Sequence, residues 1–246
     1  MHFVPNKASI SPICENSLHI WTLHLPKQEK NLSEYDYVLS LEERKKSARF
    51  KTRDNQISYV LARGGLRFIL QKYLDIPANE INFSVNLYGK PKIESTPGPA
   101  LEFNLSHSGD YVIYAITKNT PVGVDIEKIR RRTSEQLKQL ACRFFSKKEA
   151  NLIINTPQAE MTQLFFSLWT KKEAYTKQHG LGLRLPLSSF TVSISSRPKA
   201  SLVNPSVNLF SLPSSHTYDL PAPIGYCAAY SIAVDKKMKV EYFIKT

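Results

Sequence analysis

The segment from Leu101 to Ile126 constrains the fold most, because it carries three strand signals in close succession. Leu101, Phe103 and Leu105 alternate with polar residues, Ser108-Gly109-Asp110 supplies a turn, and Tyr111 to Thr117 is a β-rich run. Asn119-Thr120-Pro121 breaks that run, and Val122 to Ile126 reads as a new short strand. Helical patterns lie on both sides of this block. Ser40-Leu41-Glu42-Glu43 has capping-box form. The spacing then predicts a helix over about Gln56 to Leu74, with Ile57, Val60, Leu61, Gly64 and Phe68 on one face and Pro77 limiting its extension. Further helices are expected near Glu135–Phe145 and Ser146–Ile154, and a longer one from Met161 to His179 ended by Gly180. Strands are expected at Leu18–Leu25, Ile81–Val85, Phe190–Ser195, Tyr226–Val234 and Val240–Ile244, with Ser196 to His216 a Ser/Pro-rich loop. Helix and strand are mixed in both halves, so the expected class is α+β (mixed α/β), divided near Thr120 into 1–120 and 121–246.

No run of about 18 apolar residues occurs, so no membrane span is expected. Met1 to Glu15 has no basic start followed by an apolar core, so no secretory signal is read there. Cys14, Cys142 and Cys227 are odd in number and far apart, which suits neither a disulfide framework nor a zinc site and fits a reducing cytoplasm. Lys and Arg number 33 against 21 Asp and Glu, a net charge of +12. Residues 1–120 carry a net +3 and residues 121–246 a net +9. Such a field favours an anionic partner: nucleic acid, a phosphorylated ligand or an acidic protein.

The chemistry concentrates in a few short stretches. In Val122-Gly123-Val124-Asp125-Ile126-Glu127, residues two apart share a strand face, so Asp125 and Glu127 stand side by side while Val124 and Ile126 face a core. Adjacent carboxylates repel unless a cation neutralises them, and a hard divalent ion such as Mg²⁺ would do so. For an isolated pair of this kind, a solvated strand edge is the commoner explanation. On the long helix, Met161, Leu164, Phe165, Leu168 and Tyr175 form an apolar stripe with Lys172 in its middle, which suggests that this face meets a ligand. Glu173 and Lys177 lie four apart on its flank, a spacing that an ordinary surface ion pair also satisfies. Phe103-Asn104-Leu105-Ser106-His107-Ser108-Gly109 ends in hydroxyls and an imidazole at a turn, groups that suit a phosphate. Arg44-Lys45-Lys46, Arg49, Lys51 and Arg53 make a dense basic run.

Taken in order, these motifs resemble those of the 4′-phosphopantetheinyl transferases. Gly123-Val124-Asp125-Ile126-Glu127 followed by Trp169-Thr170-Lys171-Lys172-Glu173-Ala174-Tyr175-Thr176-Lys177 resembles the paired signatures of that family. The Tyr88-Gly89-Lys90-Pro91 turn and the Asn104–Ser108 segment are similar to its longer, monomeric surfactin-synthetase-activating (Sfp) branch. The resemblance covers about Ser40 to Phe190.

The resemblance implies two similar α/β halves, with coenzyme A and Mg²⁺ between them, and transfer of phosphopantetheine to a serine of an acidic apo carrier protein. It implies Asp125, Glu127 and Glu173 as metal carboxylates and Lys177 at the pyrophosphate. Ser106, His107 and Lys46 would hold the 3′-phosphate, and Lys90 and Pro91 would border the adenine. Glu43 stands where a second 3′-phosphate lysine can occur, which leaves Lys46, Arg49 or Arg53 for that work. Lys172 matches the family lysine beside the catalytic glutamate. Two other classes share parts of the pattern. A nucleic-acid-binding protein would explain the charge but gives no role to Asp125-x-Glu127, and a metal-dependent phosphohydrolase would use the same acids.

Overall fold

The computed structural model describes residues 10–94, 100–192, 215–233 and 238–245. The first half opens with β1 (Ser17–His24) and three short helices, α1 (Leu25–Gln28), α2 (Leu32–Tyr37) and α3 (Leu41–Ser47). The capping box at Ser40 forms as the sequence predicts: the Ser40 side chain accepts from the Glu43 amide while the Glu43 carboxylate accepts from the Ser40 amide. Helix α4 spans Arg53–Leu70, starting earlier than the apolar spacing indicates because the Thr52 side chain caps it through the Asn55 amide. The short pair β2 (Phe83–Val85) and β3 (Pro91–Ile93) makes a small hairpin. The predicted block follows as β4 (Leu101–Ser108), β5 (Tyr111–Lys118) and β6 (Val122–Lys128).

The second half places α5 (Ser134–Phe144), α6 (Lys147–Asn155) and α7 (Gln158–His179) after β6, then β7 (His216–Leu220), β8 (Tyr226–Ile232) and β9 (Lys239–Lys245). Residues Phe190 to Val192 are not strand, and the rest of the expected Phe190–Ser195 strand lies outside the described residues. So does most of the expected Ser196–His216 loop, although His216 already belongs to β7.

The two halves repeat one plan. In the first, β1 pairs antiparallel with β5, and β5 with β4. In the second, β6 pairs antiparallel with β8, and β8 with β7. Each half thus runs strand, helices, then a strand pair whose last member returns to the centre. One strand crosses the division near Thr120: β9 runs parallel to β1 and completes the first sheet in the order β4-β5-β1-β9.

Strand alternation gives each sheet two faces with different partners. Trp21, Leu23, Val112, Tyr114 and Ile116 pack against Leu61, Leu66 and Ile69 of α4. On the opposite face, Leu18, Ile20, Ile113 and Ala115 meet Val124, Ile126, Ala228 and Tyr230 of the second sheet. The far face of the second sheet lies against α7, and Gly123 is what lets it come close. A Cβ at that position would lie 1.9 Å from the Ala174 carbonyl oxygen and 2.4 Å from the Gln178 amide nitrogen. The sheets also meet edge to edge along β4 and β6, where side chains replace a backbone ladder. Asn104 Oδ1 accepts from the Val124 amide at 2.8 Å, and Ser108 Oγ accepts from the Lys128 amide at 3.0 Å. This seam positions the candidate site.

Candidate active site

Asp125 on β6 is buried, and its Oδ1 accepts from Ser106 Oγ at 2.8 Å and from Lys177 Nζ at 2.6 Å. Lys177 Nζ also donates to Ser106 Oγ at 2.7 Å. Two residues further along both strands, Ser108 Oγ donates to Glu127 Oε2 at 2.8 Å. Glu173 sits one helical turn before Lys177 on α7, and its environment identifies its neighbours. Burial is the first cause that raises its pKa, and the negative charges of Asp125 and Glu127 raise it further, against the Lys177 ammonium. Burial also raises Glu127, helped by Asp125 and opposed by the Ser108 hydrogen bond. Three carboxylates, one ammonium and two hydroxyls from β4, β6 and α7 thus form a single electrostatic cluster.

The cluster has the chemistry of a hard-cation site. Its donors are all oxygens, and Asp125 Oδ2 is buried without a hydrogen-bond partner among the described residues. Burial and mutual repulsion of the carboxylates are costs that a divalent cation removes. Among the described residues, no three acidic, histidine or cysteine side chains already converge at ligand spacing. Lys177 holds the position beside Asp125 instead.

The other expected site residues fall in different places. His107 follows Ser106 on β4 and therefore points to the opposite face; it is exposed, and the surrounding protein and then the Lys177 ammonium lower its pKa. Lys46 is exposed on α3, with its ammonium 5.7 Å from the Tyr59 ring centroid. A groove beside it is lined by Glu42, Lys45, Lys46, Arg49 and Phe50. Pro91 opens β3. Lys90 Nζ does not project from its turn but donates to the carbonyls of Val122 at 3.1 Å and Gln178 at 2.9 Å. Ser106 turns its hydroxyl inward to Asp125 and Lys177, so its side chain joins the acidic cluster.

The expectation for Lys172 needs correction. Lys172 does not face a ligand. It is fully buried, its Nζ is 2.7 Å from Glu149 Oε2, and it also donates to the Phe190 carbonyl. Glu149 in turn accepts from Ser146 and from the Val192 amide, so an apolar stripe tolerates the lysine by supplying a buried counter-ion. Burial dominates there and lowers the Lys172 pKa to about 8, against the pull of Glu149. Glu43 is likewise a structural acid, paired with Arg63 and Arg67 at 2.8 Å each. Sequence reasoning overlooked Asn104 and Ser108 as individual site-building residues. The signal was there: Asn104, Ser106 and Ser108 alternate on one face of β4, where a strand in a core would carry apolar residues.

Comparison with known proteins identifies the family. The 4′-phosphopantetheinyl transferase superfamily model matches residues 121–233, and the 4′-phosphopantetheinyl transferase N-terminal model matches residues 25–119. The chain is 33% identical to 4′-phosphopantetheinyl transferase Sfp of Bacillus subtilis over 203 residues, covering 82% of this chain and 87% of that protein. It is 31% identical to 4′-phosphopantetheinyl transferase HetI of Nostoc sp. over 172 residues, 70% of this chain and 72% of that protein. The human L-aminoadipate-semialdehyde dehydrogenase-phosphopantetheinyl transferase is 33% identical over 138 residues, 53% of this chain and 44% of that protein. Matched in both halves and related over most of its length to such enzymes, the chain belongs to the 4′-phosphopantetheinyl transferase superfamily.

Proposed function

We propose that this protein moves the 4′-phosphopantetheine arm of coenzyme A onto a serine hydroxyl of an acidic apo carrier protein, a holo-(acyl-carrier-protein) synthase reaction. The serine oxygen forms a bond to the pyrophosphate phosphorus that bears the pantetheine. The bond from that phosphorus to the bridging oxygen breaks, and adenosine 3′,5′-bisphosphate leaves. The observation that carries this reading is the meeting of Asp125, Glu127, Glu173, Lys177 and Ser106 where β4, β6 and α7 converge.

Asp125, Glu127 and Glu173 would hold Mg²⁺, which when bound supplies charge neutralisation at the pyrophosphate. Lys177 would meet the phosphates and stabilise the charge that develops on the leaving group. Glu173 would receive the serine proton, directly or through a water. Lys46 and His107 are exposed, as a 3′-phosphate contact requires, and Lys90 and Pro91 would border the adenine. In this reading residues 1–120 carry the adenine and 3′-phosphate elements, residues 121–246 the metal and catalytic ones. The enzyme works as a cytoplasmic monomer. Intact mass spectrometry of an apo carrier protein incubated with coenzyme A and Mg²⁺ tests it. Addition of one phosphopantetheine supports the transferase, whereas an unmodified carrier across a panel of carrier classes overturns it.

A further inference from the structure

The β2–β3 hairpin reaches across the molecule and grips the two elements that carry the acidic cluster. Its turn is built for this. Asn86 Oδ1 accepts from the Tyr88 and Lys90 amides at 2.9 Å each, and Gly89 takes φ +87°, a left-handed conformation that glycine adopts without strain. So shaped, the turn directs the Asn86 amide group to the Gly180 carbonyl at 3.1 Å and the Lys90 ammonium to the carbonyls of Gln178 and Val122. Gly180 ends α7 at φ +63°, and a Cβ there would lie 2.8 Å from Asn86 Nδ2 and 2.9 Å from Lys90 Cδ. The contact is thus close at every point.

The carbonyls engaged are not arbitrary. Gln178 follows Lys177 directly, and Val122 lies three residues before Asp125. A helix C-terminus leaves carbonyls without partners and carries partial negative charge, so an ammonium placed there fixes the last turn. Val122 O adds the start of β6 to the same ammonium. One ammonium thereby bridges the strand that holds Asp125 and Glu127 and the helix that holds Glu173 and Lys177.

We infer that Lys90 is a positioning residue: its side chain clamps α7 to β6 and fixes the register of the catalytic cluster, rather than binding coenzyme A. The inference rests on the transferase reading for its consequence and on the hydrogen bonds alone for its geometry. Misplacing reacting groups by about 1 Å costs on the order of 100-fold in rate.

The test is Lys90→Met in the full chain, with three readouts. Turnover on a saturating apo carrier should fall between about 10- and 100-fold. The dissociation constant for coenzyme A, by titration calorimetry, should change less than about threefold. Amide hydrogen exchange should speed up at residues 122–125 and 176–180 and stay unchanged in α4. Lys90→Arg, which keeps the charge and the donors, should recover most of the turnover. A tenfold loss of coenzyme A affinity with wild-type turnover at saturation, or unchanged exchange at both segments, overturns the clamp. Should Lys90→Met fail to fold, Asn86→Ala must show the same pattern more weakly, and wild-type turnover and exchange in that variant overturn it. If the wild-type protein itself modified no carrier, the transferase reading alone would fall, and the exchange data would still decide the clamp.

Discussion

Gly123→Ala asks how tightly the site depends on the approach of α7 to β6. The added methyl carbon would stand 1.9 Å from the Ala174 carbonyl oxygen and 2.4 Å from the Gln178 amide nitrogen, where ordinary contact begins near 3.4 Å. Both obstacles are helix backbone, so no side-chain rotation relieves them. Helix α7 must retreat, by about 1 Å or more, and carry Glu173 and Lys177 with it. Overpacking of this kind costs roughly 1–3 kcal/mol, which for a chain of this size is about 3–10 °C in Tm. Turnover should fall further than stability suggests, by on the order of 100-fold, because the carboxylates on β6 stay while their partners on α7 move. Thermal unfolding and steady-state kinetics with a saturating carrier measure both. Wild-type kcat in Gly123→Ala, with a Tm within about 1 °C of the parent, would refute the reasoning that this contact sets the site's geometry.

Other expectations concern charge. Lys46→Ala and His107→Ala should weaken coenzyme A about tenfold more than dephospho-coenzyme A, since a charge-assisted hydrogen bond contributes roughly 1.5–3 kcal/mol; equal losses by calorimetry would move both residues away from the 3′-phosphate. Arg130, Arg131 and Arg132 are exposed just beyond β6, and replacing all three with Ser should raise the carrier KM at low salt and flatten its salt dependence. An unchanged carrier KM would rule that surface out as the docking face. His179, near the end of α7, is held neutral by burial and then by the Lys90 ammonium, with its pKa pushed down to about 4. The unfolded chain takes up that proton first, near pH 6.5, so the stability His179 contributes is complete above that pH and is lost as pH falls toward 4. His179→Gln should flatten the acid limb of stability, measured by urea unfolding, by about 2 kcal/mol after allowance for partial exposure. An identical acid limb would show that another group governs it.

Much of this site is legible in the sequence because its parts are local. Strand alternation alone sets Asp125 beside Glu127, and helical spacing alone sets Glu173 one turn from Lys177. The capping boxes at Ser40 and Ser146 are legible for the same reason, since each closes within four residues. What depends on distant partners is not legible. Lys172 interrupts an apolar stripe, and only the fold shows that Glu149, 23 positions earlier, meets it. Lys90 reads as a plain turn lysine until the hairpin is seen against α7. Strand β7 hides in a polar context: His216, Tyr218 and Asp219 are partly or fully exposed, so its alternation is weak. The return of β9 to β1 is a parallel crossing over the whole chain, which no local pattern encodes.

The central claim is that Asp125, Glu127 and Glu173 hold a divalent cation for group transfer between coenzyme A and a carrier serine. The direct measurement counts products in one reaction: adenosine 3′,5′-bisphosphate by chromatography and modified carrier by intact mass, with and without a chelator. The account predicts one bisphosphate released per phosphopantetheine attached, both lost with the chelator and restored by added Mg²⁺, and neither formed by Asp125→Asn. Bisphosphate released without carrier modification, or equal product formation with the cation removed, would contradict it.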